Sequence, residues 1–266
     1  MCAGDRVEVT LSGAGAHLTG VLPRRTTLSR PGPARGGRFR EHVIAANVDR
    51  VVVVVAVADP PPRAGLIDRI LVATGRGGAR SALVFNKWDL QETGSASRDI
   101  EALCATYEEL GIPVHRCCAT RPGDEGLCSL REDIAGETVV FVGPSGVGKS
   151  SLLNALAGEE RAETGEIATS THKGRHTTTL AVLHTVGRDI RVIDTPGIRE
   201  FGLWGIDADA LRAHFSDVTR RAELCRFRDC RHEREPDCEV RAAVERGELS
   251  ATRYESYLRL QSELYG

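Results

Sequence analysis

The sequence predicts an α/β protein organised around a doubly wound, mostly parallel sheet. Two observations carry this. Val48 to Ala58 is a valine-dominated run, the composition of a strand covered on both faces. From Asn47 onward, apolar runs of strand length alternate with helical stretches across short connections, as βαβ units do.

Taken in order, Asp5 to Leu11 and Leu18 to Leu22 read as strands of a small all-β unit. Arg30 to Arg40 reads as a linker or basic loop, and Pro23 to Arg40 holds six arginines and no acidic residue. The valine-rich strand is followed by a helix at Leu66 to Thr74 and a strand at Ala82 to Phe85. A helix (Arg98 to Leu110), a strand (Pro113 to Arg116), a helix (Glu125 to Ile134), a strand (Thr138 to Val142) and a helix (Ser150 to Leu156) continue the alternation. Strands near Leu180 to Thr185 and Ile190 to Ile193 complete the sheet. Beyond Gly205 the chain is charged and helical, interrupted by a cysteine cluster. The expected division is 1–42, 43–205 and 206–266.

At 266 residues the chain can bury a substantial core. A formal net charge of -2 selects no class of partner, because the arginine-rich stretches depart from it locally. No basic segment followed by an apolar run opens the chain, so no secretory signal is expected. The longest apolar run, Val51 to Ala58, falls short of the roughly 18 residues of a membrane span. The expectation is a soluble cytoplasmic protein without membrane association.

Gly143-Pro144-Ser145-Gly146-Val147-Gly148-Lys149-Ser150 matches G-x-x-x-x-G-K-[ST] between a strand and a helix. Glycines there let backbone N–H groups turn inward around phosphate oxygens, and the helix N-terminus adds positive potential. Lys149 is placed to reach β- and γ-phosphates, and the Ser150 hydroxyl to bind Mg²⁺. Asn86-Lys87-Trp88-Asp89 follows a strand and matches N-K-x-D. Asp89 could accept from guanine N1–H and N2–H, donors that adenine lacks, leaving a carboxylate unsatisfied against the wrong base. Lys87 can cover the base, and Asn86 can tie neighbouring loops together. Cys118-Ala119 occupies the place of a second base-contacting loop, where Ser-Ala is usual. The base motif precedes the phosphate loop, the reverse of the usual order.

Asp194-Thr195-Pro196-Gly197 follows a strand, so Asp194 could hold Mg²⁺ through water and the Gly197 N–H could contact the γ-phosphate. Ile198 stands where many switch GTPases carry a water-orienting glutamine. Upstream, Gly174-Arg175-His176-Thr177-Thr178-Thr179 lies in a polar stretch expected to be ordered by nucleotide. Thr178 is the candidate to complete the Mg²⁺ shell. His176 is the candidate to align the attacking water, with a solvent-exposed histidine as the alternative.

Eight cysteines carry no sign of an oxidising compartment. Cys225, Cys230 and Cys238 with His232 offer three thiolates and one imidazole, enough for a closed structural Zn²⁺ site. Cys2, Cys104, Cys117, Cys118 and Cys128 show no ligand spacing and read as buried or idle thiols. Arg220, Arg221, Arg226, Arg228, Arg231 and Arg234 surround the cluster, as an RNA-phosphate surface or a merely solvated one.

With these residues assembled, the chain closely resembles the ribosome small-subunit-dependent GTPase A family (RsgA/YjeQ). The resemblance runs through Leu22 to Arg25, Ala45 to Asp49, Asn86 to Asp89, Gly143 to Ser151, Gly174 to Thr179 and Asp194 to Gly202. It continues through Cys225 to Cys230, Glu235-Pro236 and Arg253-Tyr254. It implies an N-terminal OB-fold, a circularly permuted GTPase domain and a C-terminal zinc domain. It also implies one Zn²⁺ per chain, Mg²⁺ with GTP or GDP, binding to the 30S subunit and its 16S rRNA in late maturation, GTPase stimulation by 30S, and a monomer. The family's proposed catalytic histidine matches His176, and Ser151 falls within the nucleotide loop. One departure stands out. Gly4-Asp5-Arg6-Val7 falls midway through the family's OB-fold, so either the start is misassigned or the OB-fold is partial. A P-loop ATPase or small-molecule kinase, and an RNA-binding module with an idle GTPase, are the competing classes.

Overall fold

The computed structural model describes residues 1–13, 15–32, 40–91, 95–158, 182–187, 189–194 and 207–265. Two antiparallel pairs come first. β1 (Val7–Ser12) pairs with β2 (Gly15–Val21), and β3 (Thr27–Pro31) pairs with β4 (Glu41–Ala46). The first pair is exposed on both faces. The second buries Leu28 and Ala45 against the main core, and Ala46 is buried beside them. The stretch expected as a linker from Arg30 therefore begins inside β3; its middle, 33–39, lies outside the described residues. β3 was missed because Ser29, Arg30 and Pro31 offer no apolar alternation, and only Leu28 faces inward.

β5 (Arg50–Ala56) is buried at every residue. Its period of two separates two cores: Val51, Val53 and Val55 face one side of the sheet, Val52, Val54 and Ala56 the other. Each such valine contributes about 1.5–3 kcal/mol of burial. The six described strands of this sheet run in the order β7-β6-β5-β8-β10-β9, parallel except for β9. They are β6 (Arg80–Asn86), β7 (Val114–Arg116), β8 (Thr138–Val142), β9 (Val182–Val186) and β10 (Ile190–Asp194). On one face lie α1 (Ala64–Arg76) and α2 (Ser95–Glu109), through Ile67, Ile70, Cys104 and Tyr107. On the other lie α3 (Glu125–Asp133) and α4 (Lys149–Ala157), through Leu130, Leu152 and Leu156. The doubly wound α/β architecture expected from the alternation is present.

Among the described residues four helices follow: α5 (Ala208–His214), α6 (Ser216–Ala222), α7 (Glu239–Glu245) and α8 (Ala251–Tyr265). Their own core of Leu211, Phe215, Val218, Val240, Tyr257 and Leu260 takes in Val72 of α1. α1 is thus buried against the sheet on one side and against α5 and α8 on the other. The expected charged helical region, interrupted at the cysteine cluster, is observed.

Candidate functional site

Parallel strands deliver their C-terminal ends to one edge of the sheet, and loops leaving that edge build the ligand crevice in open α/β folds. β6 ends at Asn86, β8 leads into Gly143, and β10 ends at Asp194. The N-K-x-D motif, the glycine-rich loop and Asp194 therefore share one edge. Thr195 to Gly197, His176 and Thr178 lie outside the described residues.

Gly143 shows why the phosphate loop needs glycine at its entry. A Cβ there would stand 2.0 Å from the Val54 carbonyl oxygen, and the backbone holds φ at 158°. Gly148, also at positive φ, opens α4, with Lys149 to Ser151 as its first turn. Lys149 Nζ donates to the carbonyl oxygens of Gly143 and Pro144 at 2.8 and 2.7 Å, holding the ammonium against its own loop. Ser150 and Ser151 are exposed, Val147 is buried, and Ser145 and Gly146 lie open on the loop. Pro144 is half-buried.

Asn86 is buried and joins three motifs. Its Nδ2 donates to Val147 O of the phosphate loop at 2.8 Å, and its Oδ1 accepts from Ala119 N at 3.2 Å. Its carbonyl accepts from Val57 N at the end of β5. The expected tie between loops is there, with named partners at both ends. Lys87 follows in the left-handed region, φ 58°, and its Nζ donates to Asp59 O. Trp88 N donates to Cys117 O, while the indole packs against the core beneath Arg116, whose guanidinium lies 5.6 Å from the ring centroid. Trp88 and Arg116 line a polar cavity of about 670 Å³ together with Arg121 and Asp124. Asp89 is exposed, so its carboxylate is open to a ligand. The buried Cys118 thiol donates to Asp89 Oδ1 at 3.0 Å.

The cysteine–histidine cluster closes. The ligand atoms of Cys225, Cys230, His232 and Cys238 lie within 4.8 Å of one another. Cys225 Sγ and Cys238 Sγ stand 3.6 and 3.5 Å from His232 Nδ1 and 3.9 Å from each other. With Zn–S near 2.3 Å and Zn–N near 2.0–2.1 Å, tetrahedral edges are about 3.8 Å for S···S and about 3.6 Å for S···N. The donor set and its spacing fit Zn²⁺. Four residues hold it in shape, Tyr254 from α8 and the others from the loop itself. His232 and Asp237 adopt positive φ, Tyr254 donates its hydroxyl to His232 O, and the Glu235 carboxylate accepts from the N–H groups of Arg231, Glu233 and Arg234. Those bonds pull Glu235 down to a pKa of about 2. Of the surrounding arginines, Arg226 pairs with Asp237, while Arg220 and Arg221 donate to nearby carbonyls. Phe227 remains 39% exposed beneath the Arg226 guanidinium. Of the cysteines outside the cluster, Cys118 hydrogen-bonds Asp89 and Cys2 is half-buried. Cys104 and Cys117 are buried, which pushes both thiols up to about 12, and Cys128 is exposed.

Two further clusters lie within the stretches of family resemblance, but their partners could not be read from the sequence. Asn47, at φ 53°, accepts from Arg25 N and donates to Gly4 O, tying both N-terminal segments to the start of β5. Asp49 pairs with Arg25 and accepts from Thr138 N of β8. Asn in a left-handed turn was the available signal. The second cluster, around Arg253, was visible only as part of the Arg253-Tyr254 resemblance.

A phosphate loop and a base-reading loop tied by Asn86, with a switch aspartate on the same sheet edge, define a P-loop GTPase in permuted motif order. The family model described as RsgA GTPase matches residues 21–204. The chain belongs to that family. It is 40% identical to the small ribosomal subunit biogenesis GTPase RsgA of Gemmatimonas aurantiaca, covering 100% of this chain and 85% of that protein. The protein of the same name from Hahella chejuensis is also 40% identical, over 97% of this chain and 73% of its own length. The crystal structure of YjeQ from Thermotoga maritima superposes with a TM-score of 0.74 at 33% identity, covering 100% and 85% of the two chains. YloQ, described as a circularly permuted GTPase, matches at TM-score 0.72 and 28% identity, over 100% and 81%. The chain is a GTP hydrolase, and its family uses Mg²⁺ with the nucleotide.

Proposed function

We propose that this chain hydrolyses GTP to GDP and phosphate in late maturation of the small ribosomal subunit, that 30S binding raises its turnover, and that it works in the cytoplasm as a monomer. The observation that carries this reading is the pair of hydrogen bonds by which Asn86 donates to Val147 O and accepts from Ala119 N, which makes base and phosphate recognition one rigid unit. The printed names of the relatives supply the ribosomal step.

In this reading residues 43–205 form the GTPase domain, 1–42 a partial OB-fold with a basic loop, and 206–266 the zinc domain that contacts 16S rRNA. Asp89 accepts from guanine, Lys87 and Trp88 frame that loop, and Cys118-Ala119 closes the base pocket. Gly143 to Ser151 cradle the phosphates, with Lys149 opposing their charge. Ser150, Thr178 and Asp194 would hold Mg²⁺, which would neutralise charge developing on the phosphates. Gly197 contacts the γ-phosphate and His176 aligns water. The switch leads directly into the zinc domain, so nucleotide state and RNA grip are coupled; equal 30S affinity in the GTP and GDP states would count against this.

The deciding experiment is GTP turnover with and without purified 30S subunits, with ATP as competitor. Stimulation that ATP does not inhibit supports the reading. Turnover indifferent to 30S would leave an RNA-binding module with an idle GTPase, and competition by ATP would point to an ATPase or kinase. His176→Ala should keep GTP affinity and lower stimulated turnover.

A further inference from the structure

We propose that the Cys118 thiol is a specificity-determining positioning group, which fixes the Asp89 carboxylate in the orientation that reads guanine. The inference rests on the base-reading role given to Asp89 above.

The geometry is specific. Cys118 Sγ is 3.0 Å from Asp89 Oδ1 and 3.4 Å from Thr120 Oγ1. A thiol has one proton, so a donor bond to the carboxylate leaves sulfur to accept from the Thr120 hydroxyl. The result is a short relay, Thr120 O–H to Sγ and S–H to Oδ1. The sulfur is buried, whereas the carboxylate is on the exposed side, so the anchor is dry and the ligand-facing end is open.

The loop that carries the thiol is itself held at two neighbouring points. Cys117 O accepts from Trp88 N, and Ala119 N donates to Asn86 Oδ1. Cys118 therefore stands between two backbone ties to the very tetrapeptide whose aspartate it touches. An ionised carboxylate oxygen has two acceptor positions. Oδ1 can keep the thiol and still take one guanine N–H, while Oδ2 takes the other. What the thiol removes is rotation about the terminal torsion of Asp89, which is broad for an unrestrained carboxylate. Two parallel acceptors are useful only when that torsion is fixed, because guanine presents two donors and hypoxanthine one.

The test compares GDP with IDP, measured by fluorescent-nucleotide displacement on the full chain. Cys118→Ala, and Cys118→Val as a volume-filling variant without a donor, should weaken GDP about threefold to tenfold, the range of one weak hydrogen bond. IDP should weaken less, so the GDP:IDP preference narrows. Cys118→Ser should restore both affinity and preference. An unchanged preference in Cys118→Ala and Cys118→Val overturns the proposal, as does a narrowed preference that Cys118→Ser fails to restore. Equal loss for both nucleotides would mean loop damage and also counts against it. Asp89→Asn separates the underlying reading. If that variant keeps full GDP affinity and gains none for XDP, Asp89 does not read the base, whatever Cys118 does.

Discussion

Arg253 and Asp68 lie 185 residues apart in sequence and share an ion pair with side-chain exposures of 1% and 0%. Arg253 also donates to both carboxylate oxygens of Asp217, at 3.1 and 3.0 Å, and lies 4.0 Å from the Phe215 ring centroid. Tyr107 donates its hydroxyl to Asp68 Oδ1 at 3.1 Å. Arg253 and Asp68 together thus join α1, α2, α6 and α8.

Removing that guanidinium leaves a buried charge without its partner. Arg253→Met should cost about 3–5 kcal/mol of stability. Arg253→Met combined with Asp68→Leu should recover a good part, since the uncompensated carboxylate goes with it. Urea unfolding followed by tryptophan fluorescence checks both. A double variant no more stable than the single would mean that packing, not charge, is what Arg253 supplies.

His214 makes the fold sensitive to acid. The residue is only partly covered, but its Nε2 is sealed and has no hydrogen-bond partner among the described residues. Burial, then the Arg253 charge, push its pKa down from 6.5 to about 3. The unfolded chain is protonated below about pH 6.5 while the folded one is not, so acid favours unfolding. The contribution is intact above about pH 6.5 and falls by at most about 1.4 kcal/mol per unit down to about pH 3. His214→Leu should flatten that limb of a stability–pH curve measured by denaturant titration.

Stripping metal should act locally. Residues 223–238, which carry the four candidate ligands, have no regular helix or strand, whereas α5, α6 and α8 keep the apolar core of Leu211, Phe215, Val218 and Tyr257. Chelation, or Cys230→Ser, should abolish bound zinc and raise amide exchange across 223–238, with most helical circular dichroism retained. Full unfolding of α8 would show that the ion supports the whole region.

Asn86→Ala should cripple nucleotide binding without unfolding the sheet. It deletes one buried and one partly buried hydrogen bond and strands Val147 O and Ala119 N. With about 1–3 kcal/mol of that cost expressed in binding, GDP affinity should fall about fivefold to 150-fold. Asn86→Asp makes the sharper test, since it keeps the acceptor for Ala119 N but places negative charge against a carbonyl oxygen.

Local chemistry was legible in the sequence, and long-range pairing was not. β5, β6 and β8 could be read because a strand covered on both faces is apolar along most of its length, and the phosphate loop because glycine spacing is its mechanism. The cysteine–histidine site was legible because its ligands lie within fourteen positions, Cys225 to Cys238. β3 was not, since a half-exposed strand ending in Arg30-Pro31 offers no period. Arg253 with Asp68 could not be read either, because nothing in their local sequence says that two helices so far apart will meet. Asp89 was assigned from its motif, but the thiol behind it emerged only when β6 and β7 were seen side by side.

The strand order has a consequence for how the sheet is made. β5 is synthesised first and ends up inside the sheet, flanked by β6 and β8. β6 adds to one open edge, β7 to the edge β6 creates, β8 to the opposite edge, and the β9–β10 hairpin joins beyond it. The sheet can grow outward from its oldest strand in the order the chain leaves the ribosome, and no later strand has to be wedged between two that are already paired.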